Sequence, residues 1–220
     1  MRITGGVRTE PSLECYAATR PQEGRSTNED AFLIANEGTP LVALCDGAGN
    51  AEQAARKVLR LLRRHYSQAD QGSIDRFSTW ARWVGLLDSA LLGGAQSTMV
   101  AVAARGRRVV GVAVGDTRAY LIDREGDVQI LTGADGAAGK ARLGSGRAQG
   151  SPIHLELAPR DVLLLVSDGA WTPLSPELLR RAVVSAAMRH FSDVSQVVLD
   201  AASRYGRADD MTAVAMRTRC

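Results

Sequence analysis

The acidic residues of this 220-residue chain gather where runs of apolar residues begin or end. Asp46 and Asp168 each follow an apolar run and are each followed by glycine. The same placement, beside a predicted strand, is shared by Glu29, Asp30, Asp116, Asp209 and Asp210. Aspartate and glycine are common turn residues, so any one of these positions also has an ordinary structural explanation. If the strand ends share one edge of a sheet sandwich, their carboxylates converge there.

Such a cluster would offer oxygen ligands only, because His65, His154 and His190 all fall elsewhere in the sequence. Oxygen-only sites suit hard cations such as magnesium or manganese, whereas zinc prefers nitrogen and sulfur ligands. The chain has three cysteines, an odd number at spacings that fit neither a disulfide framework nor a zinc site. We therefore expect Mg²⁺ or Mn²⁺ as the metal and a reducing compartment.

Hydrophobic periodicity predicts the elements that would position these carboxylates. Strands are predicted at 13–19, 31–35, 41–45, 99–104, 109–114, 119–122, 128–131, 153–157, 162–166 and 211–216. Amphipathic helices are predicted at 51–66, 74–92, 176–188 and 194–205. The elements follow the order strands, two helices, a run of strands, two helices and a final strand. This order indicates an α+β layered sandwich with sheets in the middle and helix pairs outside. The four strands from 99 to 131 are predicted to form an antiparallel meander.

The length and composition predict one globular domain over residues 1–220. Residues 132–152 contain many glycines and almost no large apolar side chain, which predicts a flexible loop.

The charge pattern argues against nucleic acid and membrane as partners. The net charge is +3, and the dense basic stretch at 56–64 has the spacing of a solvated helix face without interleaved aromatic residues. No apolar run approaches the roughly 20 residues that span a bilayer, and Met1 to Glu14 lack the apolar core of a secretory signal. We expect a cytoplasmic protein.

Six short motifs together resemble the metal-dependent serine/threonine phosphatases of the phosphatase 2C type, the PPM family, in its compact bacterial form. In the order of that family they are residues 25–32 (RSTNEDAF), 46–49 (DGAG), 96–98 (QST), 114–119 (VGDTRA), 167–171 (SDGAW) and 209–214 (DDMTAV). They extend the resemblance over nearly the whole chain. It implies a fold of two stacked antiparallel sheets flanked by pairs of helices, in α-β-β-α layers.

The resemblance also implies a metal centre with two Mn²⁺ or Mg²⁺ ions. Asp46 would bridge the two ions. Asp168 and Asp209 would hold the first ion, and Glu29 with the Gly47 carbonyl would complete the shell of the second.

Three further roles follow from the same resemblance. Asp30 would orient a metal-bound water, Arg25 would bind the substrate phosphate, and Asp116 with Asp168 would form a looser third metal site. Thr172 stands where many members carry a further aspartate, so we expect the third ion to bind more weakly or not at all. The flap between Asp116 and Asp168 is predicted to be shortened to the glycine-rich loop.

These features predict hydrolysis of phosphoserine or phosphothreonine in proteins, opposing a serine/threonine kinase, by a water that bridges two metal ions. The main alternative is a catalytically impaired module that binds a phosphoprotein or regulatory partner. Ala48, where many members carry histidine or methionine, together with Thr172 and the short flap, motivates that alternative. A phosphatase dedicated to one regulatory partner is a third hypothesis.

Overall fold

A computed structural model of the chain describes residues 13–36, 38–48, 52–132, 141–206 and 208–219. Its strands are β1 (Leu13–Arg20), β2 (Ala31–Ala35), β3 (Leu41–Cys45), β4 (Gly47–Ala48), β5 (Gln96–Ser97), β6 (Met99–Arg105), β7 (Arg108–Val114), β8 (Arg118–Ile122), β9 (Val128–Ile130), β10 (Ser151–Glu156), β11 (Val162–Val166) and β12 (Met211–Thr218). Its α-helices are α1 (Glu52–Ser67), α2 (Phe77–Leu91), α3 (Asp168–Trp171), α4 (Pro176–Arg189) and α5 (Val194–Ser203). The predicted α+β fold is confirmed.

Two five-stranded antiparallel sheets form the middle of the molecule. The first has the order β1-β12-β11-β8-β9 and the second β10-β7-β6-β3-β2. In β3 the side chains of Val42 and Leu44 pack into the layer between the sheets, while Leu41 and Ala43 pack toward the helices. Because both faces of such a strand are buried, its sequence is a continuous apolar run instead of an alternating one.

A pair of helices covers the outer face of each sheet. On the second sheet, α1 and α2 bury an apolar stripe that includes Leu62, Trp80 and Trp83. On the first sheet, α4 and α5 bury a stripe that includes Val183 and Leu199. The layer order is therefore α-β-β-α, as the resemblance implied.

The predicted meander is wrong in its pairing. β6 pairs with β7 in the second sheet and β8 pairs with β9 in the first, so the chain crosses between sheets after β7. The crossing occupies residues 115–117, where Gly115 adopts φ +86° and the backbone turns away from the sheet that it leaves. Four consecutive strands cannot reveal from their sequence which sheet each one joins.

Differences from the other predicted elements are small and lie at ends. The helix predicted from residue 74 begins at Phe77, and β4, β5 and α3 are too short to have been recognised by periodicity. Of the flexible loop predicted at 132–152, residues 133–140 lie outside the described residues. Cys15 and Cys45 are free cysteines.

None of the helices in the described ranges has the length and apolar character needed to cross a membrane.

Candidate metal centre

Three carboxylates meet where strands of both sheets end at the same edge of the sandwich. Asp46 follows the last residue of β3, Asp168 comes two residues after β11, and Asp116 lies in the crossing before β8. One carboxylate oxygen from each of Asp46, Asp116 and Asp168 lies within 4.8 Å of the others. The antiparallel pairing of β8 with β11, in which Arg118 faces Val166, brings Asp116 beside Asp168.

Backbone and hydroxyl groups of Ser97 and Thr98 fix the position of Asp46. Its carbonyl accepts hydrogen bonds from the Thr98 amide at 2.8 Å and from the Ser97 hydroxyl at 3.0 Å. Its amide donates to Thr98 Oγ1 at 3.2 Å, and the Thr98 hydroxyl also bonds that of Thr117. Thr98 thereby links the end of β3 to the crossing that carries Asp116.

The short helix α3 connects the other two carboxylates. Asp168 is its first residue, and Trp171, its last, donates a hydrogen bond from Nε1 to the Asp116 carbonyl at 3.1 Å. The guanidinium of Arg118 stacks over the Trp171 ring at 3.3 Å from its centroid. One helical turn therefore supplies one carboxylate and holds the backbone of another.

Asp30 lies beside this group and is buried. Its Oδ2 accepts a hydrogen bond from Ser167 Oγ at 2.7 Å, and Ser167 Oγ in turn accepts one from the Thr212 amide at 2.8 Å. Its Oδ1 is buried and has no hydrogen-bond partner among the described residues. Burial, opposed by the hydroxyl hydrogen bonds and reinforced by nearby Asp210 and Asp168, raises the pKa of Asp30 to about 7.

Mutual repulsion and burial also act on the cluster itself. Burial, and then the charges of Asp30, Asp168 and Asp116, raise the pKa of Asp46 to about 9. The pKa of Asp168 is raised by burial and by Asp116 and Asp209. Ionised carboxylates this close are costly unless a positive charge lies between them. The oxygen-only donors and the unpartnered buried Oδ1 atoms of Asp30 and Asp116 fit hard divalent cations.

The remaining predicted site residues are Arg25, Glu29, Gly47 and Asp209. The Arg25 side chain is half exposed, and its Nη1 lies 3.6 Å from Glu29 Oε1. The Glu29 carbonyl accepts a hydrogen bond from the Gly47 amide at 3.2 Å. Exposed Asp209 lines a cavity of about 290 Å³ together with Asp168. Glu29 and Asp209 lie outside the 4.8 Å group.

Asp210 contributes a structural role that the sequence did not reveal. Its carboxylate accepts hydrogen bonds from the Gln22 and Glu29 amides, both at 2.6 Å, and thereby holds the loop that carries Arg25 and Glu29. The resemblance assigned Asp209 to the metal and gave Asp210 no role. Asp210 is buried and serves the loop, whereas Asp209 is exposed and faces Asp168.

Arg142 is a residue of this site that sequence reasoning missed. Its Nη2 lies 3.4 Å from Asp116 Oδ2, and its positive charge lowers the pKa of both Asp46 and Asp168. The neighbouring Leu143 is fully buried and exchanges two backbone hydrogen bonds with Ser97, which fixes Arg142 against β5. No periodicity marks one arginine in a glycine-rich loop, so the sequence carried no signal for it.

The described part of that loop, 141–150, is also held from α2. The buried carboxylate of Asp88 accepts hydrogen bonds from the amides of Gly144, Gly146 and Ala148, at 2.7, 3.1 and 3.2 Å. A carboxylate that accepts three backbone donors is a strong anchor.

Comparison with known proteins identifies a family model and several solved structures that match this chain. Residues 36–219 match the family model of stage II sporulation protein E (SpoIIE). No curated protein matches the chain.

Several solved structures share the fold. The Staphylococcus aureus serine/threonine phosphatase Stp1 is 21% identical with a TM-score of 0.81, over 98% of this chain and 99% of that one. The catalytic domain of the phosphatase PstP, in complex with two manganese ions, is 24% identical with a TM-score of 0.79, over 94% and 99%. The PPM phosphatase MsPP from Mycobacterium smegmatis, in complex with cacodylate, is 22% identical with a TM-score of 0.75, over 93% and 97%. The resemblance to the PPM phosphatases is confirmed for the fold.

Proposed function

Since this chain belongs to the stage II sporulation protein E (SpoIIE) family and has the fold of the bacterial PPM phosphatases, we propose that it is a metal-dependent phosphatase of phosphoserine and phosphothreonine in proteins. The observation that carries this proposal is the convergence of Asp46, Asp116 and Asp168 within 4.8 Å beside the buried, half-satisfied Asp30.

The carboxylates and one carbonyl are proposed to hold two Mn²⁺ or Mg²⁺ ions. Asp46 is the proposed ligand of both ions. Asp168 and Asp209 are proposed to complete the shell of the first ion, and Glu29 with the Gly47 carbonyl that of the second. Two such cations, when bound, offset the negative charge of a phosphoester and lower the pKa of a water between them toward ~7.

Asp30 is proposed to orient the attacking water and accept its proton. Ser167 occupies Oδ2 and fixes the carboxyl group, which leaves Oδ1 as the free acceptor. A buried carboxylate oxygen that has no hydrogen-bond partner among the described residues can accept a hydrogen bond or a proton from that water.

Arg25 is proposed to bind the phosphate of the substrate. Its guanidinium is half exposed and only loosely paired with Glu29, at 3.6 Å. A guanidinium can donate two parallel hydrogen bonds to a phosphate group, which orients phosphorus for in-line attack. A surface arginine paired with Glu29 is the plain structural alternative.

A third cation that bound beside Asp116 would compete with the positive charge of Arg142. Thr172 supplies no carboxylate there, and the guanidinium of Arg142 already lies against Asp116. We therefore propose two tightly bound ions and at most weak binding of a third.

Hydrolysis of a phosphothreonine peptide tests the proposal. We expect turnover with Mn²⁺, loss of turnover with a chelator, and at least a ~10³-fold loss in Asp46→Asn or Asp168→Asn with the fold retained, because each substitution removes charge without removing volume. The exposed Asp127→Asn is the matched control and keeps full activity.

Retained activity in either cluster variant contradicts the two-metal proposal. A folded wild-type chain that binds the phosphopeptide without turning it over supports the impaired-module alternative. Activity on one phosphoprotein but not on unrelated phosphopeptides supports a phosphatase dedicated to one partner.

A further inference from the structure

Thr98 lies between β5 and β6, behind the candidate metal centre, and is fully buried. Its Oγ1 accepts a hydrogen bond from the Asp46 amide at 3.2 Å. Its own amide donates a hydrogen bond to the Asp46 carbonyl at 2.8 Å. A single residue therefore contacts both polar groups of the Asp46 backbone.

The same side chain also contacts the crossing that carries Asp116. The Thr98 hydroxyl shares a hydrogen bond with the hydroxyl of Thr117, which is also buried. Gly115 packs directly on Thr98, because a Cβ built on this glycine would lie 2.8 Å from Thr98 Cγ2. Asp116 thus stands between two residues that both contact Thr98.

These contacts form a continuous chain of hydrogen bonds from the Asp46 amide through Thr98 Oγ1 to Thr117 Oγ1. The chain joins the end of β3 to the crossing before β8, and no charged group takes part in it. Buried hydrogen bonds have restricted lengths and angles, so this chain fixes the separation of the two backbone segments.

The carboxylates require a connection of this kind. Asp46 and Asp116 present oxygens within 4.8 Å of each other, and ionised carboxylates at that separation repel. Arg142 offsets part of this repulsion, but its side chain is one-third exposed, and ion pairs near the surface restrain their partners only weakly. The buried hydroxyl pair restrains the two backbones from beneath.

We propose that Thr98 is a positioning residue of the metal centre, whose hydroxyl sets the spacing of Asp46 and Asp116 and thereby the affinity for Mn²⁺. This inference rests on the proposed function, because it takes the carboxylates as the ligands. Thr98 acts through the Asp46 backbone and through Thr117, and it is not itself a ligand.

Two substitutions at Thr98 separate the hydroxyl from the methyl group. Thr98→Val keeps the shape of the side chain but leaves the Asp46 amide and the Thr117 hydroxyl without this partner. Thr98→Ser keeps the hydroxyl but removes the methyl group that packs against Gly115. Both substitutions are expected to lower Tm, but only the loss of the hydroxyl is expected to change metal binding.

Isothermal titration calorimetry of the full chain with Mn²⁺ tests the proposal without substrate. We expect Thr98→Val to weaken Mn²⁺ binding by about tenfold or more, the usual effect of removing a group that supports a metal ligand. Thr98→Ser, which keeps the hydrogen bonds, is expected to stay within about twofold of the wild-type affinity. Thr117→Val is expected to lose less affinity than Thr98→Val, because the Asp46 amide then keeps its acceptor.

Ser195→Ala is the matched control for the loss of a buried hydroxyl. Ser195 Oγ accepts a hydrogen bond from the Ala215 amide at 3.1 Å and donates one to the Tyr16 carbonyl at 2.8 Å. These partners lie in the middle of β12 and β1, away from the carboxylates. This variant is expected to lower Tm as Thr98→Val does, while its affinity for Mn²⁺ stays at the wild-type value.

Wild-type Mn²⁺ affinity in Thr98→Val overturns this inference and leaves the proposed function standing. An equal loss of affinity in Thr98→Val and Thr98→Ser also overturns it, since packing of the methyl group would then be the cause. An equal loss in Ser195→Ala overturns it as well, because reduced stability would then explain the effect. A folded wild-type chain that binds no Mn²⁺ overturns the proposed function together with this inference.

Discussion

Like charges held as closely as those of Asp46, Asp116 and Asp168 destabilise a folded chain unless something positive lies among them. In this chain that positive charge comes from Arg142, which neutralises only part of the cluster. Two consequences can be measured at this scale: the pH dependence of the free energy of unfolding, and the effect of substituting Arg142.

The metal-free chain is expected to lose stability as pH rises from about 4 toward 9. The pKa of Asp30 rises from 3.8 to about 7 and that of Asp46 from 3.8 to about 9 on folding. In this window the folded chain binds more protons than the unfolded chain, so the free energy of unfolding falls with rising pH. Urea unfolding in chelator between pH 4 and pH 9 measures it. A free energy that rises through this window contradicts the expectation.

Removal of the guanidinium of Arg142 is expected to lower the metal-free stability further at high pH. Because the Arg142 side chain is one-third exposed, Arg142→Gln should cost about 0.5–1 kcal/mol of metal-free stability at pH 8. Saturating Mn²⁺ should remove most of the difference, since the cations then supply the charge. Arg147→Gln, an exposed arginine of the same loop, is the control, and an equal loss in both variants contradicts a specific role for Arg142.

Among the elements, α3 has the greatest influence on the site for its size. It begins with Asp168, holds the Asp116 carbonyl through Trp171, and packs against the start of β12. Gly169 makes that packing close: a Cβ built on it would lie 2.2 Å from the Asp210 carbonyl oxygen.

Gly169→Ala is therefore expected to displace α3. We expect it to cost about 1–3 kcal/mol of unfolding free energy and to weaken Mn²⁺ binding, measured by urea unfolding and by calorimetric titration. Gly85→Ala is the control with the opposite sign, because Gly85 is exposed inside α2 with no atom within 4 Å of a new Cβ. That variant should gain roughly 0.5–1 kcal/mol. Unchanged Mn²⁺ affinity in Gly169→Ala contradicts the role of α3.

Strand bounds followed the sequence most closely where both faces of a strand are buried. β3 and β11, whose residues are all buried, begin and end at the predicted residues, because a continuous apolar run that stops at polar residues is the pattern of such a strand. β4 and β5 have two residues each, too few for any period to show, although they position Asp46.

For the whole molecule, metal binding and folding stability are coupled. Ions that bind only the folded chain stabilise it by about 2.7 kcal/mol at ~100 times Kd. For a chain of this length, that corresponds to a rise in Tm of about 5–10 °C.

We expect Mn²⁺ to raise Tm by this amount in the wild-type chain and in Glu156→Gln, an exposed acid far from the cluster. Asp168→Asn should lose most of the rise. Differential scanning calorimetry with and without Mn²⁺ measures it, and an undiminished rise in Asp168→Asn places the ions elsewhere.

By itself, the sequence determined the α+β layers, the positions of most strands and helices, and the acids Asp46, Asp116 and Asp168 that the structure brings together. These are local properties: apolar periodicity, and carboxylates placed at the ends of apolar runs. The tertiary structure alone decided that β7 and β8 join different sheets, that the Asp210 carboxylate holds the loop of Arg25 and Glu29, and that Arg142 lies against Asp116. Such contacts join residues far apart in the chain, and sheet pairing and burial, which act through space, determine them.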